Sequence, residues 1–96
     1  MYVLITYDVN TSSPGGQKRL RHVAKCCQNY GQRVQNSVFE CLVTESQLLT
    51  LRQSLSSVID KNADSIRIYK LGKNYVSKIE HIGIETAFQI EGELII

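Results

Sequence analysis

A chain of 96 residues has room for one domain and one modest core, and two independent cores would not fit. Hydrophobic residues at 43% and charged residues at 21% are ordinary for a folded globular protein and argue against disorder. The net charge of +2 conceals an uneven spread: residues 1–83 carry 11 basic and 6 acidic side chains, whereas 84–96 carry Glu85, Glu91 and Glu93 with no Lys or Arg. No apolar run approaches the roughly 18 residues that a membrane span requires. Met1-Tyr2-Val3-Leu4-Ile5 lacks the basic region and cleavage site of a secretory signal, so the expected compartment is the cytoplasm, with no membrane partner. Cys26, Cys27 and Cys41 are odd in number and offer no C-x-x-C spacing for zinc. They read as small apolar residues in a reducing compartment.

Taken in chain order, Tyr2 to Tyr7 is a nearly continuous apolar run, the pattern of a central strand buried on both faces. It ends at Asp8, and Asn10 to Gly16 is rich in turn formers. From Gln17 to Tyr30, Leu20, Val23, Ala24, Cys27 and Tyr30 recur at helical spacing, with Gly31 expected as the C-terminal cap. Arg33 to Val43 is strand-like, and Gln35-Asn36-Ser37 in its middle divides it into two strands. Thr44 with Gln47 three positions later fits a capping box, and Leu48, Leu51, Leu55, Val58 and Ile59 give a second helix that ends at Lys61-Asn62. Asp64 to Leu71 is a strand, and Tyr75 to Ile82 reads as one more short strand. The order β-α-β-β-α-β predicts an α+β, ferredoxin-like domain over residues 1–83 with a tail strand, followed by a peripheral acidic tail at 84–96. Its two helices cover one sheet face. The apolar residues of the other face suit a partner.

Asp8 draws attention by position, directly after the central strand and beside a glycine-containing loop. It reads either as a turn residue bonding nearby amides or as a ligand for a hard cation, since Mg²⁺ often takes one or two carboxylates and keeps several waters. No second carboxylate precedes Glu40, so a homodimer would complete the site by bringing two copies of Asp8 to one ion. Lys18, Arg19, Arg21, His22 and Lys25 stand on the first helix, and no acidic residue occurs between Asp8 and Glu40. That concentration is either a solvated charged face or a site for a polyanion. His22 and His81 have no metal-ligand spacing and read as surface residues.

The segments Val3-Leu4-Ile5-Thr6-Tyr7-Asp8-Val9, Lys18-Arg19-Leu20-Arg21-His22-Val23-Ala24-Lys25, Gly31-Gln32-Arg33-Val34-Gln35-Asn36-Ser37-Val38-Phe39-Glu40-Cys41 and Asp64-Ser65-Ile66-Arg67-Ile68-Tyr69 together resemble the CRISPR-associated protein 2 family. The likeness covers nearly the whole chain, and its Asn-Ser-Val-Phe-Glu-Cys stretch is similar to members from subtype I-C systems. It implies a ferredoxin-like homodimer joined in part by tail strands. It further implies a role in acquiring new spacers, where the dimer bridges two dimers of the integrase, CRISPR-associated protein 1, and contacts double-stranded DNA. A nuclease activity on RNA or duplex DNA, dependent on Mg²⁺ with Mn²⁺ as substitute, is implied as well. The resemblance assigns the catalytic and metal-binding carboxylate to Asp8, with Tyr7 and Phe39 as supporting motif positions. It assigns nucleic-acid contacts to Arg19, Arg21 and Arg33, which the basic helix extends to Lys18. Three functions therefore stand open: a DNA-binding scaffold, a metal-dependent phosphodiesterase, and a small-molecule regulatory domain on a versatile fold. The basic helix and the resemblance both count against the third.

Overall fold

The strand Tyr2–Asp8 (β1) runs through the middle of a four-stranded antiparallel sheet, between Val38–Leu42 and Ser65–Gly72, with Gly31–Gln35 on the outer edge beyond Val38–Leu42. The other elements are Gly16–Gln28 (α1), Gly31–Gln35 (β2), Val38–Leu42 (β3), Glu45–Val58 (α2) and Ser65–Gly72 (β4), followed by a 3₁₀ turn at Tyr75–Lys78. This computed structural model describes residues 1–84. The expected βαββαβ order and the α+β, ferredoxin-like arrangement are both present. The expected acidic tail at 84–96 lies, apart from Ile84, outside the described residues.

Register explains the core. Val3 sits opposite Cys41, Ile5 opposite Phe39 and Ile68, and Tyr7 opposite Ile66. Because side chains alternate, these residues share the face beneath the helices. There they meet Val23, Ala24 and Cys27 of α1 and Leu48, Leu51 and Leu55 of α2. Val3, Ile5, Phe39 and Cys41 are wholly removed from solvent. Each large aliphatic or aromatic side chain so buried contributes about 1.5–3 kcal/mol relative to its exposed state. On the opposite face stand Leu4, Thr6, Val38 and Leu42, with Arg67 and Tyr69 of β4; Leu42 and Tyr69 are substantially exposed. No helix among the described residues is long and apolar enough to cross a membrane.

Three local expectations are corrected. Gly31 is not a helix cap; it opens β2, and a Cβ there would lie 2.0 Å from the Glu40 carbonyl oxygen, so the glycine permits close approach of β2 to β3. Helix α2 stops at Val58, ahead of Lys61-Asn62. Tyr75 to Ile82 holds a 3₁₀ turn rather than a strand. Gly72 at φ 79° ends β4 and turns the chain back, so that the Tyr75 ring stacks on Tyr2 at a centroid distance of 3.8 Å. The Tyr2 hydroxyl in turn donates to the Glu40 carboxylate. Aromatic packing thus takes the segment that sequence periodicity assigned to a ladder.

Candidate functional site

The tight loop from Val9 to Gly15 sets where α1 begins. Asn10 organises it: the side-chain oxygen accepts from the Ser12 amide (3.1 Å) and hydroxyl (2.8 Å), while its carbonyl accepts from the Ser13 hydroxyl (2.8 Å). Gly15 adopts φ 77°, a left-handed conformation that glycine takes without strain. Gly16 packs so closely that a Cβ would fall 2.2 Å from the Asn10 carbonyl oxygen. The sequence Asn-Thr-Ser-Ser-Pro-Gly-Gly is therefore a folded connector whose first residues, Asn10 and Thr11, pack against the start of α1.

Asp8, the last residue of β1, is exposed and pairs across the ladder with Ser65. Its neighbour Tyr7 points the other way, into the core, and donates to the Asn36 carbonyl at 3.3 Å. Burial pushes the Tyr7 hydroxyl above its usual value, and the nearby Arg33 acts in the opposite direction. Arg33, exposed on β2, lies with its guanidinium carbon 5.6 Å from the centre of the Phe39 ring, a cation–π arrangement. Tyr7, Phe39 and Arg33 are thus gathered at the β2–β3 turn, on the helix side of the sheet. By alternation Asp8 projects to the other side.

Lys18, Arg21 and Lys25 are exposed on α1. Positions three and four apart lie on one helix face, so these cations form a stripe. The first turn of α1 holds no acidic residue and has no side-chain cap. Arg19 departs from this stripe. Its guanidinium turns inward to Asp64, at 2.7 Å from Nε and 3.2 Å from Nη2. It also donates to the Pro14 carbonyl (2.9 Å) and the Ser13 hydroxyl (2.7 Å).

Asp64 is the residue that sequence reasoning missed. Its side chain is fully buried, and it also accepts from the Asn10 amide (3.0 Å) and the Asp60 amide (2.9 Å). The Arg19 hydrogen bonds hold its carboxyl well below the usual carboxylate range, against the opposing effect of burial. The available signal was an acid at the mouth of β4, at the sheet end that also holds Asp8. Among the described residues no three His, Cys, Asp or Glu side chains come together as a metal cluster. His22 and His81 are both exposed, as expected.

The model of the CRISPR associated protein Cas2 family matches residues 1–79. The chain belongs to this family. A protein of Halalkalibacterium halodurans named CRISPR-associated endonuclease Cas2 is 63% identical over 95 residues, covering 99% of each chain. One of Nitratidesulfovibrio vulgaris named CRISPR-associated endoribonuclease Cas2 is 53% identical, covering 100% of this chain and 94% of its own. Among solved structures, Cas2 of Streptococcus pyogenes superposes with a TM-score of 0.79 at 58% identity, over 86% of this chain and all of that one. A hypothetical protein of Thermus thermophilus gives 0.74 at 29% identity, over 90% and 94%. The α+β architecture described above is thus the Cas2 architecture.

Proposed function

We propose that this Cas2 chain works as a homodimer that binds the backbone of duplex DNA during spacer acquisition in CRISPR antiviral defence, bridging two dimers of the integrase, CRISPR-associated protein 1. The observation that carries this reading is the exposed stripe Lys18, Arg21 and Lys25, with Arg33 exposed on β2 and no acidic residue between Asp8 and Glu40. Such a surface attracts phosphates without reading bases, so binding is largely sequence-independent and weakens as salt rises. The apolar residues of the helix-free sheet face, Leu4, Val38, Leu42 and Tyr69, supply the surface against which a second copy packs. The cytoplasm is the compartment in which such a protein meets incoming DNA.

A second reading, a Mg²⁺- or Mn²⁺-dependent endonuclease acting on RNA or duplex DNA, is favoured by the exposed Asp8 carboxylate and by the names of the relatives. One carboxylate per chain fits a hard cation only as a sparse site, with water filling most positions or with Asp8 of a second copy completing it. When bound, such an ion polarises a phosphoryl oxygen and lowers the pKa of a water. The chain's own residues would orient the substrate: Lys18, Arg21 and Arg33 hold flanking phosphates, and Asp8 fixes where the ion sits. Among the described residues Asp8 belongs to no cluster of three or more His, Cys, Asp or Glu side chains, and so sparse a site ranks the scaffold above the enzyme.

Asp8→Asn separates the two, because it removes the charge and keeps the shape. Cleavage by the purified protein should require Mg²⁺ or Mn²⁺ and vanish in the variant. Metal-free duplex binding should persist, since an anion beside phosphate is repulsive. Spacer acquisition should also persist if the protein is a scaffold; its loss, with dimerisation and DNA binding intact, would replace the scaffold by catalysis.

A further inference from the structure

A dense set of polar contacts among the described residues lies beside Asp8 without including it. The buried Asp64 carboxylate takes hydrogen bonds from three segments at once: the Asn10 amide, the Asp60 amide and the Arg19 guanidinium. Arg19 directs its remaining donors to the same loop, at the Pro14 carbonyl, the Ser13 hydroxyl and, at 3.5 Å, the Asn10 carbonyl. The placement of this clamp is informative. Asp8 pairs with Ser65 in the β1–β4 ladder, Asp64 precedes Ser65, and Asn10 lies two residues beyond Asp8. The bond from the Asn10 amide to Asp64 therefore closes the end of the ladder just past Asp8. The Asp8 backbone is fixed from its own strand and from the neighbouring one, while its carboxylate remains in solvent.

We propose that Arg19 and Asp64 form a positioning pair that aims the Asp8 carboxylate, so that divalent-cation affinity depends on two residues that do not touch the cation. This inference rests on the reading of Asp8 as a cation ligand. Its physical basis is the sparseness of that site. A single carboxylate that must share an ion with water and with its counterpart on a second copy tolerates little wandering of the strand end that carries it. Strand termini fray unless they are tied down, and a side chain that supports a metal ligand typically affects affinity by about 10–100-fold. The same geometry removes Arg19 from the phosphate-binding stripe. Its fork is filled by its own chain.

The test is a Mn²⁺ titration of the full-length protein, read by the electron paramagnetic resonance of the free ion. Native-state hydrogen exchange of the amides from Asn10 to Ser13 is followed alongside it. Asp8→Asn should abolish the binding and leave loop exchange unchanged. Asp64→Asn and Arg19→Lys should each weaken Mn²⁺ binding about tenfold or more and speed loop exchange, while the protein remains folded by circular dichroism. Arg19→Lys keeps the charge opposite Asp64 and removes only the fork, so it gives a reading even if Asp64→Asn does not fold. Unchanged Mn²⁺ affinity in a folded variant whose loop exchange has risen overturns the positioning role and leaves Asp8 as ligand. Unchanged affinity in Asp8→Asn overturns the ligand assignment itself, and the positioning role with it.

Discussion

Asp64 and the two buried thiols make opposite demands on pH. Asp64 is held in its charged form by Arg19 first, then by the Asp60 and Asn10 amides, so its folded pKa lies below the unfolded value of about 4. The folded state therefore gives up this proton more readily than the unfolded state does. The stability it contributes is present above about pH 4 and is lost as pH falls through the lowered folded value. Burial pushes the Cys27 thiol up to about 12 and the Cys41 thiol up to about 11. The unfolded chain ionises these groups from roughly pH 8.5, so stability declines as pH rises from there toward the folded values. Urea midpoints measured from pH 2 to 11 should thus form a plateau with two falling limbs. Asp64→Asn should flatten the acid limb and leave the alkaline one, and an unaltered acid limb would contradict the clamp. The thiols were legible in the sequence because an unpaired Cys in an apolar pattern is usually core. Asp64 was not legible: its partner Arg19 lies 45 residues away, and a buried carboxylate looks the same in sequence as a turn aspartate.

At the scale of elements, local chemistry and tertiary contact can be told apart. The capping box of α2 was visible as Thr44 with Gln47, and both of its bonds are formed, at 3.1 and 2.9 Å. Thr44→Ala should cost about 1 kcal/mol in urea unfolding with little change in the dependence on denaturant. Gly31 was misread because a glycine after a helix normally marks a left-handed cap, whereas here the constraint comes from Glu40 on the adjacent strand. Gly31→Ala forces β2 away from β3, so it should destabilise more than the Thr44 substitution. A variant as stable as wild type would contradict the close approach. Leu51→Ala, at a site almost wholly buried between α2 and the sheet, should cost about 2–5 kcal/mol by the same measurement. Tyr75 to Ile82 was misassigned for a related reason. Its apolar spacing suits a strand, but the turn at Gly72 and the Tyr2 ring select a 3₁₀ turn.

For the whole molecule, periodicity alone carried the architecture, because one helix face and alternate strand positions meet in a single core. The open sheet face calls for self-association. Sedimentation at micromolar concentration should give twice 10.9 kDa, and Leu4→Lys, which places a charge on that face, should shift the protein toward monomer. A protein that stays monomeric at high concentration would remove both the shared Asp8 site and the bridging role. The basic residues divide into exposed cations and the internally paired Arg19, and salt dependence separates the two. Affinity for an unrelated duplex, measured across a salt series in the absence of divalent ions, has a logarithmic slope that falls by about one for each phosphate contact removed. Lys18→Ala, Arg21→Ala and Arg33→Ala should each flatten that slope by about one and weaken unrelated sequences equally. Arg19→Ala should leave the slope unchanged, because its guanidinium is taken up by Asp64, Pro14 and Ser13. A flattened slope in Arg19→Ala, or an unaltered slope in the other three, would contradict backbone binding through the exposed cations of α1 and β2.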